Sequence, residues 1–140
     1  MTTVHLTTEL PVPAETVWAA IGNFNALAQW HPAVEKSEES KQDGAIVRTL
    51  SVRGGGSMVE RLEAKDDKTR TYSYSIVESP LPVKGYIAQL TVRQGKTPSS
   101  CVVEWSSEFE PAGAAENDAV KIVRGIYEAG FKSLQKMFGK

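Results

Sequence analysis

Arg48 and Glu60 are charged residues at positions where strand alternation predicts apolar side chains. If residues 54–56 form the tip of a hairpin, Leu50 lies opposite Glu60 and Arg48 lies diagonally from it. Diagonal neighbours are ~7–8 Å apart, within reach of an arginine side chain. Two interpretations stay open. The pair either satisfies two buried or rim charges as a salt bridge, or orients a polar group of a ligand inside a cavity.

Tyrosines on the next two predicted strands face the same side as this pair. Tyr72 and Tyr74 are two residues apart, and Tyr86 shares a face with Ala88. Tyrosine supplies both an apolar ring and a hydroxyl group. A mostly apolar surface with a few convergent polar groups is the usual form of a small-molecule site. The pattern therefore predicts a binding site on this face.

Other reactive residues give weaker signals. His5 and His31 are far apart, and no cysteine or carboxylate spacing joins them, so we expect no metal site and no cofactor. Cys101 is the single cysteine and is interpreted as a core residue. Glu104 turns outward by polarity, unless a β-bulge reverses its strand. Glu60 or Glu104 is a candidate general acid or base.

Composition excludes several classes of function. The 140 residues are 41% hydrophobic and 24% charged, as expected for a globular protein, and are predicted to form one domain, residues 1–140. The net charge of −1 and the lack of a basic run argue against nucleic acid. No apolar run approaches the ~20 residues of a membrane span, and no signal peptide is evident. With one cysteine, a cytoplasmic location is predicted.

Hydrophobic periodicity predicts an α+β layout. The predicted order is a strand, two short helices, six strands and one long helix, with a curved sheet closing around that helix. The elements are a strand over residues 4–10, helices over 13–21 and 25–29, strands at 34–41, 45–53, 57–65, 69–77, 85–94 and 100–110, and a helix over 117–138.

The long terminal helix is amphipathic, with Asn117 as its predicted N-cap and Gly139 at its stop. Its apolar stripe includes Ile126, Tyr127 and Gly130. A glycine there costs roughly 1 kcal/mol relative to alanine and leaves a gap in the packing surface. We therefore predict that the helix is both core element and cavity wall, with Gly130 at the floor of a pocket.

Ordered short motifs along the chain resemble one superfamily. Residues 13–18 (PAETVW), 21–24 (IGNF) and 30–32 (WHP) resemble the opening of the polyketide cyclase/dehydrase-like branch of the SRPBCC (START/birch-pollen-allergen-like) superfamily. The match continues through Arg48 to Leu50, residues 59–62 (VERL), Tyr72 to Tyr74, and Trp105 to the terminal helix. Each motif alone is weak, but the ordered set covers nearly the whole chain.

The resemblance implies a helix-grip fold, a seven-stranded antiparallel sheet wrapped around a long C-terminal helix, with a lipophilic cavity between them. By distant similarity to plant abscisic-acid receptors, it implies ligand-facing positions at Glu60, Tyr74, Tyr86, Glu104, Ile126 and Gly130. His31 stands where those receptors carry a lysine, and a neutral histidine is a weaker partner for an anion. His31 is either a helix-end residue fixed by its neighbours or a pocket contact.

The leading hypothesis is a binding protein for a hydrophobic or aromatic ligand, lipid-like or polyketide-like. One alternative is a cyclase or dehydratase in which Glu60, Tyr74 or His31 moves protons. Another is an accessory protein that contacts an unknown partner through the outer face of the sheet. The predicted ligand contacts are Trp30, His31, Arg48, Glu60, Tyr72, Tyr74, Tyr86, Ala88, Glu104, Ile126, Tyr127 and Gly130.

Overall fold

The structure, a computed structural model, describes residues 1–139. Its element order confirms the predicted α+β layout, with boundaries that differ by a few residues. The elements are β1 (Thr2–Leu10), α1 (Ala14–Ile21), one 3-10 turn (Phe24–Ala26), α2 (Leu27–Trp30), β2 (Val34–Gln42), β3 (Ala45–Val52), β4 (Ser57–Asp66), β5 (Thr71–Glu78), β6 (Val83–Gln94), β7 (Cys101–Pro111) and α3 (Glu116–Phe138).

The seven strands form one antiparallel sheet in the order β1-β7-β6-β5-β4-β3-β2. Neighbours in sequence are neighbours in the sheet from β2 to β7, and β1 closes the far edge beside β7. The β2–β3 hairpin turns at Asp43 and Gly44, both with positive φ (52° and 81°). This is the two-residue turn geometry that matches the strand twist.

The β3–β4 hairpin has a different register from the predicted one. Arg48 lies directly opposite Glu60, and Leu50 lies opposite Met58. The cause is the loop, because the Val52 amide donates to the Gly56 carbonyl at 3.0 Å and so closes a three-residue connection. The hairpin centre is therefore one residue earlier than the triplet of glycines suggests, which brings the two charged residues face to face.

The terminal helix α3 lies along the sheet and runs in the same direction as β1. The Thr2 hydroxyl donates to Glu116 at 2.6 Å near its start, and Gln135 donates to the Thr8 hydroxyl at 2.9 Å near its end. The N-cap is Ala115 rather than Asn117, because the Ala115 carbonyl already accepts from the amides of residues 118 and 119. Asn117 lies exposed within the first turn.

The short helices after β1 differ slightly from the predicted ones. Pro13 is the N-cap of α1 rather than a residue of its first turn. The second predicted helix is a 3-10 turn followed by α2, and Asn23 caps the turn by accepting from the Asn25 amide at 2.9 Å. His31, in an extended conformation, ends α2 because Pro32 follows it. None of the helices in residues 1–139 is long and apolar enough to cross a membrane.

Candidate ligand-binding cavity

A cavity of about 220 Å³ lies between the concave face of the sheet and the N-terminal half of α3. The rim includes the exposed residues Gly55, Pro80 and Ile122, from the β3–β4 loop, the β5–β6 loop and α3. The remaining wall, which is buried or half-buried, is lined by Leu27, His31, Ala33, Val34, Leu50, Val52, Met58, Glu60, Tyr74, Ile76, Leu81, Tyr86, Trp105 and Ile126. The lining is therefore mainly apolar, with polar atoms confined to a few inner residues.

The Arg48–Glu60 pair is a buried salt bridge behind this wall. Arg48 Nε donates to Glu60 Oε1 at 2.8 Å, and Nη2 lies 2.7 Å from the same oxygen. The arginine side chain has 0% exposure and the glutamate 5%. Because both contacts use Oε1, no hydrogen bond within residues 1–139 engages Oε2. Glu60 lines the cavity and presents a carboxylate to it.

Arg48 itself does not reach the cavity, contrary to its prediction as a ligand contact. Its Nη1 donates to the Phe24 carbonyl, and the Phe24 ring covers the guanidinium at 3.9 Å from the ring centroid. The centroid of the Tyr74 ring lies 5.0 Å from the guanidinium carbon. The guanidinium is thus enclosed by the 3-10 turn and the aromatic side chains of β5, and its role is to balance the charge of Glu60.

The inner end of the cavity carries a network of hydroxyl groups. Trp105 Nε1 donates to the Tyr74 hydroxyl at 3.0 Å, and the Tyr74 and Tyr86 hydroxyls lie 3.5 Å apart. Tyr86 is also hydrogen-bonded to the Tyr127 hydroxyl. Burial raises the pKa of Tyr74 and of Tyr86 well above the ordinary value. Both phenols therefore stay protonated at neutral pH and act as hydrogen-bond donors.

His31 both contacts the cavity and is fixed at the end of a helix. The Ala33 amide donates to Nδ1 at 3.1 Å, so the ring proton resides on Nε2, which donates to the Ile126 carbonyl at 2.7 Å. Burial lowers the pKa of His31. The imidazole is consequently neutral with both nitrogens engaged. It contributes a ring edge to the wall rather than a free acid or base, which argues against its role as a catalytic candidate.

Gly130 is not the floor of the pocket, contrary to prediction. A Cβ atom at this position would lie 3.0 Å from His31 Cδ2, 3.0 Å from Trp105 Cζ3 and 3.1 Å from Trp30 Cζ3. The space left by the missing side chain is therefore taken by three aromatic rings. Glycine at this turn allows the rings to close against the helix backbone, and the cavity lies beyond them.

Four further predicted contacts are buried but lie behind the lining. Trp30 packs on Trp105 with centroids 5.6 Å apart, and Tyr127 stacks on Trp105 at 4.2 Å. Tyr72 packs edge-on against Phe24 at 5.7 Å. Ala88 is buried on β6 opposite Tyr74. They support the wall residues, but they are not themselves on the cavity surface.

Glu104 lies on the outer face of the sheet, so its prediction as a ligand contact is wrong. It accepts from Arg93 Nε at 2.5 Å and contacts His5 Nε2 at 2.9 Å. The registers of β7 with β1 and β6 are continuous through this residue, with Thr7 and Thr91 as its partners. No bulge reverses the strand, and the outward orientation indicated by polarity alternation is correct.

Several lining residues were absent from the predicted set. Leu50 and Met58 share a face with Arg48 and Glu60, and Trp105 alternates inward on β7, so alternation already indicated their orientation. Leu81 and Ile122 have no comparable signal, because one lies in a proline-rich loop and the other at the edge of the helical stripe. Within residues 1–139, no three His, Cys, Asp or Glu side chains come together to hold a metal ion.

The antiparallel sheet wrapped around α3, with an apolar cavity between them, defines the helix-grip class of folds. The model of the family described as "Polyketide cyclase / dehydrase and lipid transport" matches residues 1–139, and the chain belongs to this family. The resemblance to the SRPBCC superfamily is thereby confirmed.

Known proteins are similar over nearly the whole chain. XoxI from Bacillus cereus is 36% identical, with a TM-score of 0.93, covering 99% of this chain and 96% of that one. MLP-like protein 423 from Arabidopsis thaliana is 26% identical over 147 residues, covering 95% of this chain and 91% of the relative. A START superfamily protein from Mycobacterium smegmatis shares the fold, at 15% identity, a TM-score of 0.77 and coverage of 97% and 96%.

Proposed function

We propose that the protein binds one small hydrophobic or aromatic molecule in the cavity between the sheet and α3. The observation that carries this proposal is the composition of the cavity wall, which is apolar around Leu50, Met58 and Ile126 and carries the polar groups of Glu60, Tyr74, Tyr86 and His31. The family description, which includes lipid transport, supports a binding role.

The cavity volume limits the size of the ligand. A protein cavity of about 150 Å³ holds a benzene molecule, so about 220 Å³ accommodates one ring or two fused rings. Larger lipid or polyketide bodies would have to extend through the mouth. A ring system that buries about 150–250 Å² gains roughly 4–6 kcal/mol from burial. This corresponds to a Kd between about 1 mM and tens of micromolar before association costs.

Binding is better supported than proton-transfer catalysis by the state of the candidate residues. His31 has both ring nitrogens engaged. Tyr74 is held protonated by burial, which raises its pKa, and its oxygen already accepts from Trp105. Glu60 keeps one oxygen free, but the other is held by Arg48. Glu60 and Tyr74 are therefore fixed hydrogen-bonding partners for a ligand, whereas His31 contributes only its ring edge to the wall.

The test is a variant that fills the cavity. Ile126→Trp places an indole from α3 into the space, and we expect it to abolish saturable binding of two-ring aromatic probes followed by two-dimensional NMR. The His31 contact uses the backbone carbonyl of residue 126, so this contact is retained. The free energy of unfolding in urea should change little, by about 1–2 kcal/mol at most.

Ile87→Trp provides the matched control, because Ile87 lies 45% exposed on the outer face of β6. It should bind the probes as the unmodified protein does. Loss of binding in Ile87→Trp with retention in Ile126→Trp would contradict the proposal and would favour a function of the outer sheet face.

A further inference from the structure

We propose that the cavity selects small ring compounds that carry a hydroxyl group and rejects the corresponding carboxylates. This inference rests on the proposed function, and it assigns the selection to Glu60 and Tyr74. The ligand class is a phenol or an alicyclic alcohol whose hydroxyl group points to the inner end of the cavity.

The first step concerns the charged groups of the cavity wall that a bound ligand would contact. Glu60 lines the cavity with a carboxylate, whereas its partner Arg48 is fully buried behind the Phe24 ring. Within residues 1–139, the lining contains no lysine or arginine. A ligand carboxylate would therefore lose its hydration, face Glu60 and find no cation within contact.

The second step is the hydrogen-bonding capacity of the inner end. Glu60 Oε2 accepts, because Arg48 occupies only Oε1. The Tyr74 oxygen accepts from Trp105, so its own proton is available for donation, and Tyr86 lies at a long 3.5 Å. A hydroxyl group can donate to a carboxylate and accept from a phenol at the same time. A carboxylate has no proton to donate to Glu60, and a methyl group can do neither.

The third step is the cost of leaving these groups without partners. An apolar ligand group placed against Glu60 and Tyr74 displaces water from two polar atoms and forms no hydrogen bond with either of them. For this reason, a site with buried polar groups rejects ligand analogues that lack the matching hydrogen-bonding group. The selection is therefore built into the wall and does not depend on a moving segment.

The test compares matched probes on the unmodified protein at neutral pH. The two-ring set is 2-naphthol, 2-methylnaphthalene and 2-naphthoate, and the one-ring set is phenol, toluene and benzoate, so that size does not decide the result. Isothermal titration and NMR shifts report affinity and location. We expect the hydroxyl compound to bind about tenfold or more tightly than the methyl compound, and about a hundredfold or more tightly than the carboxylate.

The outcomes separate this inference from the proposed function. Saturable binding of the methyl compound or the carboxylate as tightly as the hydroxyl compound overturns the hydroxyl selection and leaves the binding function standing. If no probe of either set binds in a saturable way at the cavity, the proposed function fails as well.

Glu60→Gln tests the assigned residue. The amide retains an oxygen for Arg48 Nε but removes the negative charge, so the charge of Arg48 is no longer balanced. We expect the carboxylate to gain about tenfold or more in affinity and the hydroxyl compound to lose affinity. Glu108→Gln removes the same charge from the exposed face of β7 and should leave all affinities unchanged. Equal behaviour of the two variants would contradict the assignment.

Tyr74→Phe keeps the test decisive if Glu60→Gln does not fold. It removes one hydroxyl group and leaves the salt bridge in place. We expect it to weaken binding of the hydroxyl compound several-fold while leaving the methyl compound unchanged or slightly tighter. An equal loss for both compounds would show that the hydroxyl of Tyr74 does not take part in selection.

Discussion

Two glycines in the same helix provide a sharp test of how the aromatic rings pack. Gly125 and Gly130 both lie in α3, where replacing a solvent-exposed glycine by alanine stabilises a helix by about 1 kcal/mol. A Cβ atom at Gly125 meets no atom within 4 Å, but at Gly130 it lies about 3.0 Å from carbons of His31 and Trp105. Ordinary carbon contacts are about 3.5–4.0 Å. The rings around Gly130 must therefore move by a few tenths of an ångström.

The two alanine variants should consequently differ in their effect on the free energy of unfolding. We expect Gly125→Ala to raise the free energy of unfolding by about 1 kcal/mol. Overpacking costs about 1–3 kcal/mol, so Gly130→Ala should be neutral or destabilising by up to about 2 kcal/mol. The difference between the variants, about 1–3 kcal/mol, measures the packing of the rings against the helix backbone.

Urea unfolding followed by tryptophan fluorescence measures both variants. Because His31 and Trp105 also line the cavity, Gly130→Ala should weaken binding of a two-ring probe, whereas Gly125→Ala should not. If Gly130→Ala stabilises the protein as much as Gly125→Ala does, the rings do not close on this position. The close contact described above would then be refuted, and a free space at Gly130 would be restored as the better interpretation.

The buried charged and titratable groups lead to two further predictions. Burial lowers the pKa of His31 below its ordinary value of 6.5, so the unfolded chain binds the proton at a higher pH than the folded protein does. The free energy of unfolding should therefore fall as the pH drops below about 6.5. This pH dependence should disappear in His31→Gln but remain in the control variant His5→Gln, which changes an exposed histidine. Arg48→Met leaves the Glu60 carboxylate buried without its partner and should destabilise the protein by about 3–5 kcal/mol in urea unfolding. The double variant with Glu60→Leu should recover most of this loss, and a single-variant cost below about 1 kcal/mol would contradict the burial of the pair.

Much of the fold was determined by local patterns in the sequence. Strand alternation is a property of the backbone itself, since successive side chains point to opposite faces. It correctly turned Tyr74, Tyr86 and Glu60 inward and Glu104 outward. Turn residues such as Asp43 and Gly44 adopt the positive φ values that the hairpin requires. The amphipathic stripe of α3 likewise follows from the helical period alone.

Tertiary structure decided which inward-facing residues reach the cavity. An inward orientation shows that a side chain points to the core, but not what fills the space beyond it. Arg48 and Tyr72 both face inward, yet the Phe24 ring of the 3-10 turn packs against both. Sequence alternation carries no information about this packing, because the 3-10 turn and the strands meet only in the folded chain.

Gly130 shows that prediction from the sequence has the same limit in α3. Its position in the middle of the apolar stripe of α3 was evident from the sequence, and so was the gap left by its missing side chain. Whether that gap belongs to a ligand or to the protein depended on three rings from two distant segments, those of Trp30, His31 and Trp105. Local periodicity determined which face of the helix is buried, whereas the contents of the buried space depended on contacts between residues far apart in the chain.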